Sequence, residues 1–419
     1  MYKLILVTLL CLSFILLSAC IPSAGVRNLQ NGNKQATYEW QAKSDQIDIP
    51  FNWHDGHIII PVAVNDSAPL RLAFDSGAAV TVLFETERTN QLKLDVERQL
   101  TLNSSGQIAN VVNHNTLVLD KLSLENLTVL HVPLDHSPIF SNIEEAYFDG
   151  AIGYDLLSRF VIRIDYINQI LTLSHRQSTE DNYLGWRALP IDTKTHVPYL
   201  EAFFGTGKSS QGDSAANNAK FLIDTGAPFY LYINPDLHPL LELPVQYYET
   251  KGSGFNGPYH RYTGRLEQLT IGEYSFPNLA THFDKTDYQD LEGIGLIGNG
   301  LLKKFDLVFD YASETLFIKS HSQFNNKSLV DRSGLDIKPH RKGAIVHSVA
   351  LNSAAANAGL KTGDIITKFN GELILPATFD EFKAKLSSEI DTTQLCWDRE
   401  AMEMCEQITL SKRIRKVLE

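Results

Sequence analysis

The sequence predicts a mainly β protein, in which two tandem β-rich lobes face each other about a pseudo-twofold axis and a small α+β domain follows. Three observations carry that expectation. A motif of apolar residues entering Asp-Ser/Thr-Gly-Ala occurs twice, at 72–78 and 221–227. An apolar-Ile-Gly motif follows each copy, at Ala151-Ile152-Gly153 and Leu296-Ile297-Gly298. From residue 323 onward, strand patterns alternate with two short helical ones. A chain of 419 residues exceeds what one core ordinarily serves. With 43% hydrophobic and 21% charged residues it has the composition of a folded chain, not a disordered one. A net charge of −12, with no Lys/Arg-rich run, excludes a nucleic-acid binder, which needs basic surface to displace counterions.

The first element, residues 1–20, is expected to be a signal and not part of the fold. Lys3 supplies a positive start, and Leu4 to Leu17 is apolar apart from Thr8, Cys11 and Ser13, too short to span a bilayer comfortably. The ending Leu17-Ser18-Ala19-Cys20 resembles the lipobox of bacterial lipoproteins. That resemblance implies cleavage before Cys20, lipidation of its sulfur, and a stable anchor made of several acyl chains. Ile21 is not the aspartate that resembles an inner-membrane retention signal. A cell-envelope protein facing the periplasm or outside, on the outer membrane in a two-membrane bacterium, is therefore expected. Residues 21–50 are polar and aperiodic, with Asn31-Gly32-Asn33, and read as a flexible tether.

The next two elements, residues 51–185 and 186–322, are the repeated lobes. Strand patterns Ile58–Val64 and Val197–Phe204 precede the two aspartates, Asp75 and Asp224. Asp75 precedes Gly153 by 78 residues (153 − 75), and Asp224 precedes Gly298 by 74 (298 − 224). Each copy continues with Phe160 or Phe305, then Asp165-Tyr166 or Asp310-Tyr311, and ends in a strand pattern, Ile170–Leu173 or Thr315–Ile318. Asn103–Gly106 and Gly252–Gly257 stand between strand patterns, as hairpin tips do.

Asp-Thr-Gly seen once is an ordinary turn. Seen twice in a tandem repeat, it places two carboxylates at the axis. Such a pair cannot ionise fully at low cost, so it retains one proton and its pKa values split. The ionised member can take a proton from water while the other donates to a carbonyl oxygen, and no metal or cofactor is needed. Ser76 and Thr225 carry hydroxyls able to pin the opposite loop, and Gly77 and Gly226 let backbone approach the carboxyls.

These residues resemble the retropepsin-like and pepsin-like aspartic proteases, over about residues 51–320. The resemblance implies acid-protease-like β-barrel lobes, Asp75 and Asp224 as the catalytic pair, and protein or peptide substrates. Ala78 and Ala227 follow the retropepsin pattern, whereas both copies lie in one chain, so the expected catalytic unit is a monomer. Alanine cannot donate a hydrogen bond to the pair as the pepsin-like Ser or Thr can, which predicts an optimum nearer neutrality than pepsin's. The flap candidates are Ser104 and Gly106 in the first copy, which has no tyrosine there, and Gly252, Ser253 and Gly254 in the second, which resemble a glycine-rich retropepsin flap.

The last element, residues 323–419, resembles a PDZ domain through Ala358-Gly359-Leu360-Lys361-Thr362-Gly363-Asp364-Ile365-Ile366. Gly343–Val349 reads as a strand, Ser353–Ala358 as a short helix and Phe379–Leu386 as a second helix. The resemblance implies peptide binding by strand addition, with Ser333-Gly334-Leu335-Asp336-Ile337 as the nearest candidate loop and Gly334, Leu335 and Ile337 as candidate binding residues. A stabilising appendage without a ligand is the alternative. Cys396 and Cys405 lie equidistant from a turn centred on Glu400-Ala401, which leaves open a disulfide or two buried thiols.

His54 and His57 have metal-like spacing without a third ligand nearby, and read as exposed histidines before a strand. No Gly-x-Ser-x-Gly or His-Glu-x-x-His motif occurs, and no Gly-rich phosphate loop stands out. Two functions from different classes remain: a membrane-anchored aspartic endopeptidase whose PDZ-like domain recruits or regulates, and an inactive peptide-binding lipoprotein scaffold. A highly restricted processing enzyme is a variant of the first.

Overall fold

The computed structural model describes residues 24–101, 108–136, 146–175, 183–205, 217–254, 257–284 and 292–414. Strands dominate, and they build two closed barrels of the same topology. In the first, the ring runs through His57–Val64, Leu70–Phe74, Gly150–Ile152, Val82–Phe84, Leu122–Val132 and Ile108–Leu119, which returns to His57–Val64. In the second it runs through Tyr199–Gly205, Asn218–Asp224, Gly295–Gly298, Leu231–Ile233, Tyr274–Phe283 and Gly257–Ile271, which returns to Tyr199–Gly205. Both faces of Ile108–Leu119 are covered; Val112, Leu117 and Leu119 join the main apolar core, whereas Ala109 and Val111 join a second cluster with Val26 and Leu29.

The closing strand patterns of the two copies do more than end their own lobes. Val161–Asp165 and Ile170–Ser174 join Phe305–Asp310 and Thr315–Ser320 in one six-stranded sheet, completed by Arg187–Pro190 and Gln46–Pro50. Its centre is the antiparallel pairing of Ile162 with Phe309 and Ile164 with Leu307, across the pseudo-twofold axis. One apolar core therefore runs from barrel to barrel through this sheet.

The expectation of a flexible tether over 21–50 is corrected from residue 24 onward. Ala24–Asn33 is a helix, Thr37–Trp40 pairs with Leu122–Val132, and Gln46–Pro50 pairs with Ile170–Ser174. Polar residues hold the helix down. Gln30 donates to the Ala79 carbonyl at 3.1 Å, and the Asn33 amide both donates to the Thr128 carbonyl and accepts from its N–H, each at 2.9 Å. These side chains take up backbone groups of the first lobe, so their polarity does not mark solvent.

The C-terminal sheet runs in the order Leu335–His340, Gly343–Val349, Ile365–Phe369, Thr392–Arg399, Met402–Thr409, over its own apolar core. The second helix occupies Phe379–Leu386 and buries Phe379, Phe382 and Leu386. Ser353 caps the short helix Ala354–Asn357 through the N–H of Ala356. The final hairpin turns at Glu400 and Ala401, both at positive φ, which sets Cys396 opposite Cys405, and the two form a disulfide. Arg413 joins this domain to the second lobe, its guanidinium 3.4 Å from the Tyr248 ring centroid.

Candidate active site

Each aspartate stands at the end of a central barrel strand, held from behind by a parallel neighbour. Leu70–Phe74 lies beside Gly150–Ile152, and the Asp75 N–H donates to the Ile152 carbonyl at 2.9 Å. Asn218–Asp224 lies beside Gly295–Gly298 in the same way, with Asp224 opposite Gly298. The glycine that follows the first supporting strand and the one that ends the second are both sterically required. A Cβ on Gly153 would fall 1.9 Å from the Asp75 carbonyl oxygen, and one on Gly298 would fall 2.4 Å from that of Phe229.

The two loops lock onto each other. The Ser76 N–H donates to Thr225 Oγ1 at 2.9 Å, and the Thr225 N–H donates to Ser76 Oγ at 3.0 Å. Each hydroxyl then donates across the axis, Ser76 Oγ to the Ile223 carbonyl at 2.6 Å and Thr225 Oγ1 to the Phe74 carbonyl at 3.0 Å. Ser76 and Thr225 are fully buried, so these four bonds are made away from water.

The carboxyls sit inside this frame. The Gly77 N–H donates to Asp75 Oδ1 and the Gly226 N–H to Asp224 Oδ1, both at 2.8 Å. Asp75 and Asp224 lie close enough to share a hydrogen bond once one of them carries a proton. They retain some accessible surface, but protein surrounds them closely enough that burial dominates their titration. Burial raises Asp75, against its bond to Asp224 and the N–H groups of Gly77, Ala78 and Gly226, which favour its charge. Burial, and then the neighbouring charge of Asp75, push Asp224 well above the ordinary carboxyl range. A pair so arranged keeps its last proton to higher pH than isolated carboxyls do.

Of the other residues singled out from the sequence, Gly252, Ser253 and Gly254 lie on the strand Tyr248–Gly254, whose pairing with Gly257–Ile271 sets Gly254 opposite Gly257. Ser104, Gly106 and Cys20 lie outside the described residues. In the PDZ-like loop, the Gly334 N–H donates to Asp331 Oδ2 at 2.6 Å and the Leu335 N–H to Ser333 Oγ at 3.1 Å, while the Ile337 side chain is in the core. His54 and His57 are not the exposed pair expected. His57 is buried and pushed down to about 4 by that burial, and His54 is half-buried against Tyr147 and Phe379.

Sequence reasoning missed Asn299, which follows Gly298 where the first copy has Tyr154. It is fully buried, and its amide donates to the Thr225 carbonyl and, at 3.0 Å, to that of Gly56. Its Oδ1 accepts from the Tyr166 hydroxyl at 2.7 Å. The available signal was this break in the repeat, a polar amide where the other copy carries an aromatic ring.

Comparison with protein families gives two matches. Residues 60–156 match the family model for an aspartyl protease, a span that contains Asp75 and its supporting Gly153. Residues 333–394 match that of the PDZ domain. Among curated proteins, none matches the chain.

Proposed function

We propose that this chain, which joins an aspartyl protease domain to a C-terminal PDZ domain, is a membrane-tethered aspartic endopeptidase whose active site is the pair Asp75 and Asp224. The observation that carries the reading is the reciprocal lock of Ser76 and Thr225, because it holds two part-buried carboxyls within hydrogen-bonding reach at the axis of two like barrels. A scaffold has no use for so costly a charge arrangement.

In the proposed reaction, a water sits between the carboxyls and a substrate amide. Asp75, the more readily ionised member, takes a proton from that water, while Asp224 donates its own to the carbonyl oxygen. The water oxygen attacks the carbonyl carbon and a neutral gem-diol forms. Asp75 then gives its proton to the amide nitrogen and Asp224 recovers one from a gem-diol hydroxyl. The C–N bond breaks, which leaves an acid, an amine and the starting protonation state. The frame of buried hydrogen bonds keeps both carboxyls oriented, so little reorganisation accompanies each transfer.

Protein or peptide substrates follow from the protease and PDZ domains. The tether is Cys20, in the lipobox-like sequence, and an envelope location goes with it. Incubating residues 21–419 with a peptide library, with and without pepstatin, tests the activity. Pepstatin-sensitive internal cleavage is expected, and its absence for every peptide contradicts it. Radiolabelled palmitate should mark the full chain and not Cys20→Ala; equal labelling removes the tether.

A further inference from the structure

Among the buried charged residues that the proposed chemistry does not use, Asp55 stands between the first lobe and the C-terminal domain. Asp55 is 1% exposed. With Gly56 it forms the two-residue turn between Asn52–His54 and His57–Val64, at φ of 46° and 82°, the left-handed conformation this hairpin requires at both positions. The turn is seated on the PDZ domain. Lys338 Nζ lies 3.3 Å from Asp55 Oδ2, and Lys383 Nζ pairs with Oδ1. The Asp55 N–H donates to Asp380 Oδ1 at 2.9 Å, and the His54 ring packs 6.0 Å from that of Phe379.

Lys338 belongs to Leu335–His340, the edge strand of its sheet, and Asp380 and Lys383 belong to the helix Phe379–Leu386. The Arg332 N–H donates to the Leu386 carbonyl, so the helix lies along this edge. An edge strand and a flanking helix are the walls between which a PDZ domain takes a peptide. Here the hairpin of the first lobe rests on both walls. The Gly334 and Leu335 amides are already engaged by side chains of their own loop. The carboxylate this domain grips is that of Asp55.

The other side of the turn faces the active loop. A Cβ on Gly56 would fall 2.4 Å from Pro228 Cβ, so the turn backbone lies flat against the segment after Gly226. The Gly56 carbonyl accepts from Asn299 Nδ2 at 3.0 Å, and the same amide donates to the carbonyl of Thr225, the residue after Asp224. Polar contacts thus connect Lys338 and Lys383 to the catalytic loop of the second lobe.

We propose that Asp55 is a positioning residue: clasped by Lys338 and Lys383, its turn buttresses Asn299 and Pro228, so that the PDZ domain sets the geometry of the Asp224 loop in cis. The proposal rests on the reading of Asp75 and Asp224 as the catalytic pair. Its physical basis is that a buried carboxylate is stable only while paired. Loss of the lysines, or of the charge, frees the turn and with it the support behind Thr225.

The test compares residues 21–419 with Asp55→Asn, in which Asn-Gly still favours the same turn while the ion pairs are lost. The double variant Lys338→Ala/Lys383→Ala cuts the clasp from the PDZ side and serves if Asp55→Asn does not fold. Peptide cleavage is read together with amide hydrogen exchange at 224–229. In both variants kcat should fall about tenfold with KM within about twofold, and exchange at 224–229 should rise. Unchanged exchange at 224–229, with kcat at the wild-type value, overturns the proposal. If wild type cleaves no peptide, the peptidase reading fails, and exchange alone decides the coupling: a rise at 224–229 upholds it and no change overturns it.

Discussion

Ser76 and Thr225 exchange hydrogen bonds across the pseudo-twofold axis, each N–H to the other's hydroxyl, at 2.9 and 3.0 Å. Thr225→Ala removes the acceptor of the Ser76 N–H and the donor to the Phe74 carbonyl, and leaves both buried without these partners. At about 1–3 kcal/mol for each of the two stranded groups, the loss should be roughly 2–6 kcal/mol. The urea midpoint should fall accordingly, with kcat falling as well because the same bonds orient the carboxyls. A variant with wild-type midpoint and kcat would show that the lock is idle.

The two active-loop glycines are not equivalent. A Cβ on Gly226 would fall 2.3 Å from Asp75 Cγ, whereas one on Gly77 would stay 3.1 Å from both Asp224 Cγ and Asp75 Oδ1. Gly226→Ala should therefore abolish detectable cleavage by displacing Asp75, and Gly77→Ala should keep a measurable fraction. Steady-state rates of the two variants decide this; equal losses would contradict the asymmetry.

In the proposed mechanism the rate requires one proton on the pair. It should fall at low pH as the ionised member is protonated, and at high pH as the pair loses its last proton. Burial raises both carboxyls, Asp224 well above its ordinary range, so both limbs shift upward. Ala78 and Ala227 supply no side-chain hydroxyl to pull them back. The pH profile of kcat/KM should peak above the reference carboxylate range of about 4. A maximum below that value would contradict this account.

Stability should also respond to acid. His57 is pushed down to about 4 and His282 to about 3, first by burial and, for His282, then by Arg261. Between those values and the unfolded value of about 6.5, the unfolded chain binds protons that the folded chain refuses. Their contribution is therefore complete above about pH 6.5 and is lost as pH falls toward 4 and then 3. Asp380, pushed up to about 6 by burial and by Asp55, acts oppositely, since its contribution is lost as pH rises through 6. Replacing His57 with Gln should flatten the fall in melting temperature between pH 6.5 and 4; an unaltered slope would remove His57 from that loss.

What the sequence disclosed depended on distance along the chain. The Asp-Ser/Thr-Gly-Ala repeat and its later glycines revealed the loops of Asp75 and Asp224, because a duplicated fold must repeat its constraints. The helix Phe379–Leu386 was legible from local pattern, and the Cys396–Cys405 hairpin from symmetry about its turn, since both are short-range structures. The segment before residue 50 misled because Gln30 and Asn33 look like linker residues, yet they bond to backbone of the first lobe. Asp55 was invisible for a different reason. Its lysine partners lie 283 and 328 residues away, and nothing local marks a turn as the seat of another domain. Its one signal was Asp-Gly between two strand patterns, which predicts the hairpin and not its neighbour.

The most direct test of the account replaces each carboxyl in turn. Asp75→Asn and Asp224→Asn keep size and shape but leave the pair unable to hold and pass its proton, so each should lose cleavage of a peptide that wild type cuts, while melting near the wild-type temperature. Cleavage that persists at the wild-type rate in either variant would contradict the paired-carboxyl site on which the proposed function depends.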